Sequence, residues 1–427
     1  MRIRSITYFC NPGWPLNEEV LQQAGKFLAQ AKSAYEAGGY EVQTLRLATI
    51  PFPKLLLSGK RAGGSRTLET GRLDQAPRLA EELEKSIQQA GISYASLGPA
   101  LPESPRSYEL IPEGIAATQN IFFGGVMAEA KAAKSKIHPG AVRACAEVII
   151  KAAKLEQNGF ANLRFASLAN VKAGSPFFPA AYHNGGQLAF AIATEAADLA
   201  VEAFTTTKTL AGGRRALTAT ITKHGKVMAG IAREIVKMES RRTFRIRFGG
   251  IDFSLAPFPE EAHSIGTAFE RMGINKIGLH GSLSAAAMLT EAIERASFPR
   301  AGFSGLMMPV LEDARLAQRA AEGRLAIKDL LLYSAVCGTG LDTVPLPGDT
   351  QAGQITALLM DLCALALRLD KPLTARVMPI PWKKAGEPTS FDFGFFANSK
   401  VMALEAEPLA PSWDSAEAIE LRKLKKH

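Results

Sequence analysis

The sequence predicts a single large α/β domain, with helices packed on a parallel or mixed sheet. Three observations predict it. Apolar runs of strand length alternate with amphipathic stretches of helix length through the first hundred residues. The same alternation returns after residue 243. No composition shift or clean linker divides the 427 residues, of which 47% are hydrophobic and 21% charged, so one chain can bury one large core without staples.

The elements follow in order. RSITYFC (4–10) is rich in β-formers and predicts a strand. Residues 17–39 predict a helix, with Leu21, Ala24, Phe27, Leu28, Ala31 and Tyr35 on one face and Gly38-Gly39 ending it. A strand is expected at 40–50, a polar loop at 59–72, a helix at 76–90 and a strand at 92–98. Alanine-rich stretches at 114–134 and 139–156 predict helices, and 159–171 a strand. GSPFFPAAYHNGG (174–186) is a loop bounded by Pro and Gly, and 187–240 reads as mostly helical. In the second half, TFRIRF (243–248) alternates as a half-buried strand should, and GGIDFSLAPFP leads as a loop into a helix at 260–272. INKIGLHG is expected as strand and loop. A helix capped by Ser282 or Ser284 follows, then a strand in AGFSGLMMPVL, a helix from EDARLAQRAAEG, and another ending near Cys337. GTGLDTVPLPGDT (338–350) is too rich in Gly, Pro and Asp for a regular element and reads as a stiff acidic loop. The helix at 351–369 has Asp349 or Thr350 as its N-cap, and TARVMPIP is a strand.

Bulk chemistry narrows the function. Four widely spaced cysteines without a CxxC pair speak against a zinc site or a disulfide framework and fit a reducing cytoplasm. The first residues lack the apolar run of a signal peptide, and no window approaches 18 apolar residues, so neither a leader nor a membrane partner is expected. The formal charge of +9 is scattered, densest in the tail LRKLKKH and in RRTFRIR (241–247), without an aromatic platform or a helix-turn-helix pattern. A nucleic-acid partner is therefore not expected. A small polar substrate is, in a chain that forms a homo-oligomer.

The chemistry-bearing residues sit in loops beside Gly or Pro. Asp252, Glu312, Asp313 and Asp349 are candidate catalytic carboxylates, since loops at the carboxyl ends of parallel strands hold ligands. Each has a plainer role available: a turn residue for Asp252, the favoured acid at a helix start for the other three. Cys337 is a candidate nucleophile if a base or positive field lies nearby. His280, Asp342, Tyr182 and His183 are candidate substrate contacts. Thr350 joins them because amides at a helix start attract anions. Arg164 and Arg376 lie inside apolar, strand-like segments, where an arginine is costly unless it pairs with an acid or an anion.

FGGIDFSLAP, FSGLMMPVLEDA, ARVMPIP, PFFPAAYH and the CxxGLDxxxxPGDT pattern at Cys337–Thr350 resemble the uncharacterised family called domain of unknown function 711, also uncharacterised protein family 0210, over the chain to about residue 402. The resemblance implies a ten-stranded α/β barrel like that of pyruvate formate-lyase and ribonucleotide reductase, as one domain over residues 1–402 with a basic tail at 403–427, and relatives of that fold are often dimers. In glycyl-radical enzymes a cysteine on a loop inside the barrel faces a radical-bearing glycine, and Cys337 is similar in place. The glycine motif is missing here, because Arg376-Val377 runs on into Met378-Pro379. An Asp-Glu pair expected of the family reads Asp361-Leu362.

The expected function is a hydrolase with a carboxylate-lined pocket, cleaving a polar bond such as a glycoside by acid/base chemistry. Glu312 or Asp313 would be the acid and Asp252 or Asp349 the base or nucleophile. Thiol or radical lyase chemistry at Cys337 and non-enzymatic metabolite binding are the alternatives. No cofactor is required, and Mg²⁺ or Ca²⁺ would suit the aspartates better than zinc if they held a metal.

Overall fold

The computed structural model describes residues 1–58, 71–131, 134–240, 245–413, 415 and 417–424. Residues 59–70 of the expected polar loop, 241–244 of the second basic cluster and 425–427 of the tail lie outside the described residues.

Among the described residues eleven strands form one sheet: β1 (Arg2–Phe9), β2 (Val42–Ala48), β3 (Tyr94–Ala100), β4 (Ile121–Lys131), β5 (Lys134–Ile137), β6 (Phe165–Ala169), β7 (Ala189–Glu195), β8 (Arg247–Asp252), β9 (Gly340–Pro347), β10 (Leu373–Ile380) and β11 (Ile419–Glu420). The main path runs β8-β7-β1-β2-β3-β4-β6-β10-β9. Strands β1, β2, β3, β4 and β6 are parallel neighbours in that order, as are β7 with β8 and β9 with β10. The two directions meet at antiparallel junctions between β1 and β7 and between β6 and β10. Regular pairing leaves β8 and β9 as edges and the sheet open. Residues between them make single parallel bridges to both sides, Leu255 to Leu306 and Pro309 to Asp342.

Helices cover the sheet because each carries one apolar stripe. The helix Glu18–Ala37 buries the six residues expected to share a face, and Asn17 Oδ1 caps it by accepting from the amides of Glu19 and Val20. The helices at Ala76–Gln89, Pro139–Ala153, Ser282–Arg295, Ala314–Ala321, Ile327–Ser334 and Ala352–Arg368 match the expected ones within a few residues.

Several expectations are corrected. Residues 121–131 are strand rather than helix: IFFGGVM is a β-forming run, and packing outweighs the alanines that follow. Gly125 suits this strand because a Cβ there would lie 2.6 Å from Cys145 Sγ on the helix behind it. Ala189–Glu195 is also strand, buried along its whole length, where small side chains let neighbours approach from both faces. The strand expected at 243–248 begins at Arg247 and takes in Gly249–Asp252, read earlier as loop. INKIGLHG and AGFSGLMMPVL form only single bridges. GLDTVPLP is strand β9 rather than loop, since hydrogen bonding to β10 supplies what local propensity withholds. The N-cap of Ala352–Arg368 is Gln351, not Asp349 or Thr350, and that of Ser282–Arg295 is Gly281. The tail is docked: Ile419 and Glu420 pair with Ile137 and Lys136, and the Lys423 ammonium lies 2.7 Å from Asp370.

The loop 174–186 is folded against the sheet. Ser96 Oγ donates to the Ala181 carbonyl at 2.7 Å and the His183 amide donates to the Thr49 carbonyl at 2.8 Å. Phe178 is thereby buried among Phe9, Ala48, Ala181, Ala189 and Ala191.

Candidate functional site

Four strands and one loop bring charged side chains together around a cavity of ≈ 610 Å³, and a second loop lines it with rings. β1 contributes Arg4, β2 Arg46, β9 Asp342 and β10 Arg376. The segment before helix Ala314–Ala321 contributes Glu312, and the 174–186 loop contributes Phe177 and Phe178. In strands whose other face is packed by helices, inward positions are the only ones free to carry such groups.

Arg376 organises the floor. Its Nε donates to Asp342 Oδ1 and its Nη2 to Glu312 Oε1, each at 2.6 Å. Arg4 Nη2 donates to the other Glu312 oxygen. The side chains of Arg376, Glu312 and Asp342 are 6%, 5% and 3% exposed, so these are desolvated, charge-assisted bonds. Two acids on adjacent nitrogens of one guanidinium are pushed apart in acidity. Burial alone would raise the Glu312 carboxyl, but the Arg376 and Arg4 guanidiniums outweigh it and hold that carboxyl below its ordinary value. Burial raises the Asp342 carboxyl, Arg376 opposes this only in part, and the Glu312 charge pushes it higher. Asp342 Oδ2 accepts no hydrogen bond from the described residues.

The walls are aromatic. Tyr94 and Phe122 rings meet edge-on with centroids 5.5 Å apart, as do Phe122 and Phe178. The Arg46 guanidinium lies 5.0 Å from the Phe178 centroid and 5.9 Å from that of Tyr94. Arg164 is at the rim, with its guanidinium donating to the Ile115 and Thr118 carbonyls and its acid neighbour Glu156 at 4.0 Å.

Of the candidate residues read from the sequence, Glu312, Asp342, Arg164 and Arg376 converge here. The rest do not line this cavity. Asp252 is fully buried, accepting from the Phe303 amide at 3.0 Å, the Ser304 amide at 2.8 Å and the Ser254 hydroxyl. It anchors a loop. Asp313 caps helix Ala314–Ala321 and also accepts from the Ser264 hydroxyl and the Ile265 amide, tying two helix starts together. Burial raises both of these carboxyls above the ordinary range against their hydrogen bonds. Asp349 is exposed beyond the far end of β9, and Thr350 is buried beside it. His280 is exposed in its loop. The Tyr182 hydroxyl donates to the Val171 carbonyl and His183 Nε2 is 3.1 Å from the Gly186 carbonyl, so both shape the inserted loop. Cys337 is 1% exposed in the main core, where burial pushes its thiol up, and Lys371 Nζ donates to its carbonyl rather than to its sulfur. Among the described residues no group of three or more His, Cys, Asp or Glu is placed to hold a metal ion, and no helix is long and apolar enough to cross a membrane.

Arg4 and Arg46 are functional candidates the sequence reading passed over. The signal was present: RSITYFC and TLRLA each put an arginine inside an apolar strand, the same cost that singled out Arg164 and Arg376.

The chain is similar to UPF0210 proteins of distant organisms. It is 29% identical to that of Oleidesulfovibrio alaskensis over 343 residues, covering 77% of this chain and 74% of the relative. It is 30% identical to that of Pyrobaculum islandicum over 367 residues, covering 82% and 76%. It is 27% identical to that of Methanopyrus kandleri over 402 residues, covering 89% and 83%. The family model described as "Uncharacterised ACR (DUF711)" matches residues 1–398. The chain therefore belongs to the DUF711 family, also called UPF0210.

Proposed function

We propose that the protein is an enzyme of polar acid/base chemistry acting on a small polar substrate in the Arg376 cavity, with hydrolysis as its reaction class and glycosides the first substrates to try. One observation carries this reading: two buried carboxyls, Glu312 and Asp342, share a single guanidinium yet are shifted in opposite directions. Paired acids with opposed shifts are how acid and base roles are divided at one pH. Asp342, whose raised carboxyl makes it the stronger base of the two, takes a proton from the substrate and returns it as the acid, Glu312 stays ionised as charge stabiliser, and Arg376 positions both. This moves the base from Asp252 or Asp349 to Asp342, which also takes the acid role expected of Glu312 or Asp313. Both acids grip one guanidinium rather than standing free across a gap, so a flanking-carboxylate glycosidase has less support than proton transfer in general.

A thiol or radical reading finds no comparable support, with Cys337 buried away from the cavity. Two finer points belong to the same proposal. Residues 306–309 bridge both edges of the nine-strand path, which supports a ring of ten strands in two antiparallel groups of five. Such a ring would enclose the site. The chain acts as a cytoplasmic homo-oligomer.

Turnover of aryl glycosides and aryl esters by the purified full chain tests the reading. Asp342→Asn and Glu312→Gln are expected to lower kcat by about 10²–10⁴, while Asp349→Asn stays at the wild-type rate. Equal rates in all three variants, or no turnover of any member by folded wild-type protein, would refute it.

A further inference from the structure

We propose that Arg46 is the receptor for a carboxylate on the substrate, and that the Tyr94–Phe122–Phe178 wall holds the flat or apolar body attached to it. The proposal rests on the preceding reading only in taking the same cavity as the substrate site.

The argument is a charge count with partners named. Arg376 is committed to Asp342 and Glu312, and Arg4 to Glu312. Arg164 is committed to two backbone carbonyls and faces Glu156. Glu195, behind Arg4, is answered by Arg2 at 3.6 Å and by Gln43 at 3.1 Å. Arg46 alone of the lining arginines has no carboxylate within ion-pair distance among the described residues, and no carbonyl partner either. Its single hydrogen bond runs from Nε to Thr44 Oγ1 at 2.9 Å, which leaves both terminal nitrogens, the two that grip a carboxylate, free. Arg164 and Glu156 at the rim offset each other, and set against the ionised Glu312 and Asp342 the three cations Arg4, Arg46 and Arg376 leave one positive charge in the cavity.

A partly buried cation beside other cations is unfavourable. Burial, reinforced by Arg4, pushes the Arg46 guanidinium down to about 9, which still leaves it charged at pH 7. The ring faces of Phe178 and Tyr94 offset part of the cost, but a ring donates no lone pair to the free N–H groups. One monoanion would satisfy both the charge and the donors. A carboxylate matches the single excess charge, whereas a phosphate dianion would overshoot it beside Glu312. The aromatic wall continues from Phe178 to Phe177, so the body behind the carboxylate meets ring faces rather than water.

Calorimetric titration of the full chain at pH 7 with benzoate, benzamide, phenyl phosphate and inorganic phosphate tests this. Benzoate is expected to bind in the millimolar range or tighter, with benzamide at least about tenfold weaker. Arg46→Gln should weaken benzoate by about tenfold to a hundredfold and leave benzamide unchanged, while Arg46→Lys restores part of the loss. Phe178→Leu should weaken both. Thermal unfolding of each variant confirms that it is folded. Equal binding of benzoate and benzamide, no binding of benzoate, or wild-type benzoate affinity in Arg46→Gln would overturn the proposal. Tighter binding of either phosphate than of benzoate would overturn the carboxylate assignment. Asp342→Asn should bind benzoate at least as well as wild type. Benzoate binding that depends on Arg46 in a protein without turnover would sink the enzymatic reading and leave this one standing.

Discussion

Replacing Arg376 by Met keeps an unbranched apolar stem and removes the guanidinium with its charge and its donors. In the wild type its guanidinium, 6% exposed, meets Glu312 and Asp342 at 2.6 Å each. After the change Glu312 still has Arg4, but Asp342 is left as a buried carboxylate without a cation. Breaking a buried pair by removing one partner costs about 3–5 kcal/mol. The loss of Asp342's partner sets that scale, and Glu312 adds to it only in part. The cost has a pH signature. Asp342 is already raised by burial, and losing Arg376 raises it further. An acid whose folded pKa lies above its unfolded value of about 3.9 destabilises the fold fully above the folded pKa, and that penalty shrinks as pH falls toward the unfolded value. The relief is about 1.4 kcal/mol per pH unit for one proton. Glu312 is shifted the other way in the wild type, so its contribution is present above about pH 4.3 and does not change over the range compared. Urea unfolding followed by circular dichroism, wild type against Arg376→Met at about pH 8 and about pH 5.5, reads both quantities. The expected difference is about 3–5 kcal/mol at the higher pH and about 1–2 kcal/mol less at the lower one. A difference below about 1 kcal/mol at pH 8, or one that does not change with pH, would refute the claim that Arg376 compensates buried carboxylate charge.

Other perturbations separate the site from its scaffold. Gly302→Ala would place a Cβ 2.1 Å from Asp252 Oδ2 at a φ of +58°, so a thermal melt should show a Tm drop of several degrees with the Arg46 cavity's ligand affinity retained. Asp252→Ala strands the Phe303 and Ser304 amides and is expected to destabilise by about 1–3 kcal/mol in urea unfolding, more than the exposed Asp349→Ala, which should cost less than about 0.5 kcal/mol. Cys337→Ala should leave turnover and benzoate binding at wild-type levels, and the native thiol should react with a maleimide only on unfolding, because it is buried and burial raises its pKa.

Much of the fold was legible because local pattern and tertiary need agree in those places. The stripe of Leu21, Ala24, Phe27, Leu28, Ala31 and Tyr35 is a helix face whatever it packs against, and RSITYFC is a strand by composition. The misread elements are those where packing overrides propensity. Ala189–Glu195 is a strand because both its faces are buried, and Gly340–Pro347 because β10 supplies its hydrogen bonds; neither neighbour can be seen in a local window. The site divided along the same line. Glu312, Asp342, Arg164 and Arg376 stood out as costly or acidic groups in apolar surroundings, and Arg4 and Arg46 carried the same signal unread.

By itself the sequence determined the class of the fold, its family and a short list of residues that would need partners. It could not say which acids meet, because Arg376 lies 34 residues from Asp342 and 64 from Glu312. Only the strand order brings those three together, while it holds Asp252, Asp313 and Asp349 at loop and helix starts where backbone amides or water satisfy them. The physical reason is that burial and charge pairing are properties of side chains from different strands, set by the packing of the whole sheet and not by any stretch of chain within it.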